Sequence, residues 1–104
     1  MQFNHVITNN VLIWFAESEY LCTSLGEDCP LGKTVVTKET CKNAASKLAK
    51  EYVRTLPHSW KTAPAGCWIN DREEVYFNTI VDPSLTSPES HLRGICLKDG
   101  TEYL

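Results

Sequence analysis

The sequence predicts an α+β fold in which one amphipathic helix packs on an antiparallel β-sheet and is stapled to it by disulfides. Three observations predict it. First, Cys41, Ala44, Ala45, Leu48, Ala49, Tyr52 and Val53 fall at offsets 0, 3, 4, 7, 8, 11 and 12, the buried stripe of a helix. Second, short β-forming runs broken by turn residues lie on both sides of that stripe. Third, five cysteines stand at positions 22, 29, 41, 67 and 96 of a 104-residue chain. They include no C-x-x-C pair, and their spread favours a disulfide framework in an oxidising compartment over free buried thiols or a metal site.

Taken in order, "FNHVIT" and "VLIWFAE" flank Asn9-Asn10 and read as a hairpin, because asparagine tolerates the positive φ of a tight turn. The second of these strands is apolar on both faces and calls for cover. "ESEYLCTSLGEDCPLGK" is punctuated by Gly26, Asp28, Pro30 and Gly32 and reads as a loop carrying Cys22 and Cys29. "KTVVT" leads into the helix, with Thr37 as N-cap and Glu39 in the first turn, where the helix dipole favours a carboxylate. Leu56-Pro57 ends that element. Cys41 belongs to its buried stripe, and with four further cysteines in the chain it reads as a staple from helix to strand.

Pro64 and Gly66 turn the chain into Cys67-Trp68-Ile69. "NDRE" is a turn, and "EVYFNTIV" runs back as the partner strand. "DPSLTSPESHLRG" is a polar loop, and "ICLKDGTEYL" supplies a last strand, an Asp99-Gly100 turn and a tail. The chain divides into an N-terminal hairpin segment, 1–19, and a cysteine-rich α+β module, 20–104, expected to form one domain together.

Composition narrows the function classes. A formal charge of −3 is the wrong sign for a general nucleic-acid binder. Lys38, Lys42, Lys47, Lys50 and Arg54 fall in the predicted helix and read as its solvated outer face. "MQFNHVITNN" shows neither the basic start nor the apolar run of a signal peptide, and "VLIWFA" is too short for one. That run is also far short of the ~20 residues of a membrane span.

"YLCTSLGEDCPLGKTVVTKETCKNAASKLA", "PAGCWINDREEVYFN" and "GICL" together resemble a small cysteine-rich extracellular module of marine invertebrate and protist proteins. The shared features are a C-P-x-G turn, a Thr-led helix with Cys before Ala-Ala, a P-x-G-C turn, a Y-F-N strand and a closing I-C. The likeness covers residues 20 to 97. In outline the chain is also similar to the PAN/apple group, where a disulfide ties one helix to an antiparallel sheet. The resemblance implies an extracellular binding or structural role. It makes Cys29, Cys41, Cys67 and Cys96 the framework, and of the three pairings that four cysteines allow it points to Cys41–Cys67 and Cys29–Cys96. Cys22 departs from the pattern, as a free thiol or the source of an intermolecular bridge.

No residue constellation points to catalysis, a metal or a cofactor. His5, His58 and His91 stand apart from one another in polar or loop contexts, and a crosslinked sulfur cannot act as nucleophile. Glu73 and Glu74 are adjacent, so on a strand they would face opposite ways. "GEDCPLGK" lacks the spacing of a phosphate loop. The expected class is therefore a non-enzymatic binding or adhesion module for a protein or glycan. Trp60, in a His-Ser-Trp-Lys loop, is the foremost ligand platform and Tyr76 a lesser one, while Trp14 and Trp68 are expected in the core. The alternative is a structural subunit that assembles with copies of itself by strand addition through Val11, Ile13, Trp14 and Phe15.

Overall fold

The computed structural model describes residues 4–8, 11–15, 19–56 and 59–98. Among them, Asn4–Thr8 (β1) and Val11–Phe15 (β2) pair antiparallel as a two-stranded sheet, with Thr8 opposite Val11 at the closed end. The Asn9-Asn10 turn, the side chains of β1 and β2, His58, the Asp99-Gly100 turn and the tail lie outside the described residues.

The remaining elements are Tyr20–Cys22 (β3), the helix Lys38–Lys47 (α1), Glu51–Thr55 (β4), Gly66–Ile69 (β5), Glu74–Asn78 (β6), a 3-10 turn at Pro83–Leu85, and Arg93–Leu97 (β7). The strands form a five-stranded sheet in the order β3-β7-β5-β6-β4. One helix on a mostly antiparallel sheet, crosslinked by Cys41–Cys67 and Cys29–Cys96, is the α+β, disulfide-stapled architecture that the sequence predicts. Their Cα atoms lie 5.2 and 5.5 Å apart, respectively, within the ordinary reach of a disulfide.

Thr37 caps α1 as expected, its hydroxyl accepting from the Thr40 amide at 3.2 Å. The helix is shorter than its apolar stripe. Leu48 closes it, Ala49 turns left-handed at φ 59°, and the Lys50 amide donates back to the Ala45 carbonyl at 2.8 Å while Ala49 donates to Ser46. This is a Schellman close. The next residues, Glu51-Tyr52-Val53-Arg54-Thr55, are rich in β-formers and run as an edge strand parallel to β6. Tyr52 and Val53, assigned to the helix from the stripe, therefore belong to β4, and Ala49 is exposed rather than buried. Lys50 and Arg54 likewise leave the helical face, which keeps Lys38, Lys42 and Lys47. The sheet is antiparallel except at this edge. The predicted loop after residue 17 contains the short strand β3, paired with β7 from Tyr20↔Leu97 to Cys22↔Ile95.

Pleating sorts the core into two layers. On the helix side, Cys41, Ala44 and Ala45 of α1 meet Cys67, Val75, Phe77 and Ile95, together with Val35 and Tyr20. On the far side, Trp68 packs with Leu56, Ala63 and Leu92, and Tyr76 stacks on the Trp68 ring with centroids 4.9 Å apart. The chain can pass close at β5 only because residue 66 is glycine. Its φ is +68°, and a Cβ there would stand 2.1 Å from the Val35 carbonyl oxygen. Among the described residues no helix is long and apolar enough to cross a membrane.

Candidate functional site

Two surfaces, one at each end of β6, present side chains in a way that packing alone does not explain. The first is the loop of residues 59–65 beyond the C-terminal end of β6. Its organiser is Asn78, fully buried at the end of that strand. The Asn78 amide nitrogen donates to the carbonyl oxygens of Trp60 at 2.7 Å, Pro64 at 3.1 Å and Ala63 at 3.4 Å. Its oxygen accepts from the amides of Ile80 at 3.1 Å and Trp60 at 3.4 Å. Both backbone groups of Trp60 are thus held by one side chain.

A second tier of bonds backs the loop. The Ser87 amide donates to the Lys61 carbonyl, and the Glu89 amide to that of Thr62. Asp28 accepts from the Ala65 amide at 2.7 Å and from the Thr86 hydroxyl at 2.6 Å. Out of this fixed backbone the Trp60 side chain projects, 42% exposed. A large apolar ring in water on a pre-organised loop is what a binding anchor requires.

The second surface is an open groove of about 400 Å³ at the other end of β6, just past the C-terminus of α1. Ile69 and Leu25 give it apolar lining, and Cys22, Arg93, Lys50 and Glu73 supply polar groups. The β5–β6 turn that forms part of it is built by Asn70, whose side chain accepts from the amides of Arg72 and Glu74. Glu73 sits there at φ 64°. Lys50 hydrogen-bonds and ion-pairs with the Glu73 carboxylate, which holds that carboxyl below its ordinary range. Among the described residues the two non-glycine residues with positive φ are Ala49 and Glu73, and both adjoin this ion pair.

Of the residues singled out from sequence, Cys29, Cys41, Cys67 and Cys96 are joined in the two bridges. Cys22 is a free, exposed thiol on β3. It pairs across strands with Ile95, on the helix side, whereas Cys96 belongs to the opposite pleat beside Leu21. Exchange between this thiol and Cys29–Cys96 would have to cross the sheet. Surrounding protein nonetheless desolvates the sulfur and pushes its pKa up, an effect that Arg93 and then Lys50 oppose.

Trp60 stands on the surface. Tyr76 is half-buried and serves as cover for Trp68, so the two proposed ligand aromatics have different jobs. Trp68 is core, and Trp14's side chain lies outside the described residues, as do those of Val11, Ile13 and Phe15. Glu73 and Glu74 separate as expected, the first to Lys50 and the second to Asn70 and, at 3.9 Å, Arg72. His91 lies 3.7 Å from Glu89. Among the described residues no three His, Cys, Asp or Glu side chains cluster as a metal site.

Sequence reasoning missed Asn78 and Arg93. The signal for Asn78 was present: a polar residue closes the apolar strand Val75-Tyr76-Phe77, where only an internally bonded amide can be buried. Arg93 carried no such signal. No family model, curated protein or solved structure matches this chain.

Proposed function

We propose that the chain is a non-enzymatic extracellular binding or adhesion module whose anchor for a protein or glycan partner is Trp60. The observation that carries this reading is the Asn78-locked loop. A buried amide holds the backbone on both sides of an exposed indole, so little ordering entropy is lost when a partner docks. Two disulfides support the oxidising compartment. The resemblance of residues 20–97 to the cysteine-rich extracellular module supports the same role. The test is retention on a panel of immobilised glycans and surface proteins. Trp60→Ala should lower retention at least about tenfold while leaving the unfolding midpoint in place. Retention that survives the substitution, or retention on nothing in the panel, overturns the reading.

A specific observation also favours self-assembly. β1 and β2 form a sheet of their own, with both outer edges unpaired among the described residues. Ten strand residues carrying Val6, Ile7, Val11, Leu12, Ile13, Trp14 and Phe15 make a ribbon that is marginal in water alone. Strand addition from a second copy would cover it. Light scattering decides: assembly requires a large particle that deletion of residues 1 to 16 reduces to a monomer.

A further inference from the structure

We infer that the groove between the end of α1 and β7 is a second recognition site, for a partner polypeptide that offers one carboxylate beside one aliphatic side chain. It stands at the opposite end of β6 from Trp60 and depends on none of the Trp60 argument.

The cation that defines it is Arg93. Its neighbour across the β5–β7 ladder is Ile69, so the guanidinium rises beside an apolar lining made by Ile69, buried, and Leu25, 55% exposed. The other cations nearby are engaged, Lys50 with Glu73 and Arg72 with Glu74, and the His91 ring stands beside Glu89. Among the described residues Arg93 has no ion-pair partner. A free guanidinium fork is matched by a carboxylate. The exposed Leu25 next to it is matched by an aliphatic group.

The lining also says what the groove does not take. Its lining holds no Trp, Tyr or Phe among the described residues, so a sugar finds no broad apolar ring face to stack on. It is open rather than a tunnel, so an alkyl chain would stay largely wet. Asp71 and Glu73 turn away a polyanion, leaving room for a single negative charge at the Arg93 end. A peptide with adjacent acidic and aliphatic residues meets all three conditions.

The experiment is an amide NMR titration of the full chain with an acetylated, amidated hexapeptide, Gly-Ser-Asp-Leu-Ser-Gly. Two comparison probes are the same peptide with Asn for Asp, and octanoate. The Asp peptide should shift the amides of Ile69, Arg93 and Gly94. The Asn peptide should bind about fivefold more weakly, the discrimination expected of one exposed ion pair. Arg93→Gln should remove that discrimination without changing the fold, whereas Trp60→Ala should leave it intact. Three results overturn the inference: no shifts up to about 10 mM peptide, equal binding of the Asp and Asn peptides, or discrimination that survives Arg93→Gln. Octanoate binding at least as tightly as the peptide reassigns the groove to a lipid acid and equally overturns it.

Discussion

The two faces of the sheet are held by different physics. The helix side is a continuous apolar layer in which Cys41, Ala44, Ala45, Cys67, Val75 and Ile95 are all at most 1% exposed. On the far side the buried apolar cluster is the smaller one of Leu56, Ala63, Trp68 and Leu92, and its cover is loop, not helix. What fixes that cover is polar stitching through Asn78 and Asp28, with the Cys29–Cys96 bridge on the same pleat. Area burial is non-directional and needs no particular partner. Hydrogen bonds need specific partners, so the far side is more exacting and can hold a loop in one conformation. The exposed indole stands on the exacting side.

The largest effects should come from the bridges. By loop-closure entropy, Cys29–Cys96, separated by 67 residues, contributes about 4.4 kcal/mol, and Cys41–Cys67, separated by 26, about 3.5 kcal/mol. Each is a large share of the roughly 5–15 kcal/mol a domain possesses. In urea unfolding, the Cys29→Ala, Cys96→Ala pair should therefore lose more than the Cys41→Ala, Cys67→Ala pair. The reverse order would mean that the helix-side core, where the sulfurs are buried, outweighs chain entropy.

Next comes the contrast between amide and hydrocarbon. Asn78→Ala leaves several buried backbone groups unpaired and should destabilise by about 3 kcal/mol. Val75→Ala, in the other layer, should lose a similar amount, about 2 kcal/mol. Hydrogen exchange separates them. Asn78→Ala should free the Trp60 and Ile80 amides well below the global unfolding limit, whereas Val75→Ala should lower only the limit. Equal local exchange in both variants would erase the distinction between the faces.

A smaller, opposite effect is expected at the helix end. Ala49 occupies the left-handed region, so Ala49→Gly should stabilise by about 0.5 kcal/mol, the relief of strain exceeding the entropy that glycine adds to the unfolded chain. The midpoint in urea reports it. The smallest effect is electrostatic. Lys50 depresses the Glu73 pKa, so the carboxylate stabilises the fold above its unfolded pKa and that contribution disappears as pH falls through the folded one. The stability gap between the wild-type chain and Glu73→Gln should close on acidification and shrink in high salt. A gap that persists in acid would show that Glu73 acts through its backbone conformation instead.

Much of the fold was legible because period and composition are local properties. The Thr37 cap, the Cys41-Ala44-Ala45 stripe and the β-forming run Val75-Tyr76-Phe77 each announce an element within a few residues. The end of the helix was not legible. Leu48, Ala49, Tyr52 and Val53 continue the helical spacing, and what stops them is the pairing of Glu51–Thr55 alongside β6, a partner more than twenty residues away in the chain. β3 escaped notice for the same reason, since three residues among turn signals become a strand only when β7 lies beside them. Of the site, the indole at Trp60 could be read as a residue type. The groove could not, because Cys22, Lys50, Ile69 and Arg93 share no spacing.

By itself the sequence determined the class of the molecule: how many apolar faces it must cover, where a helix begins, and that sulfur crosslinks hold a small body together. These follow from residue chemistry and short-range periodicity. Only the tertiary structure decided which strand runs parallel, and that a buried amide and a guanidinium without an ion-pair partner among the described residues stand at opposite ends of β6. Each of those depends on which distant segments meet, and hydrogen-bond geometry between distant segments leaves no periodic trace along the chain.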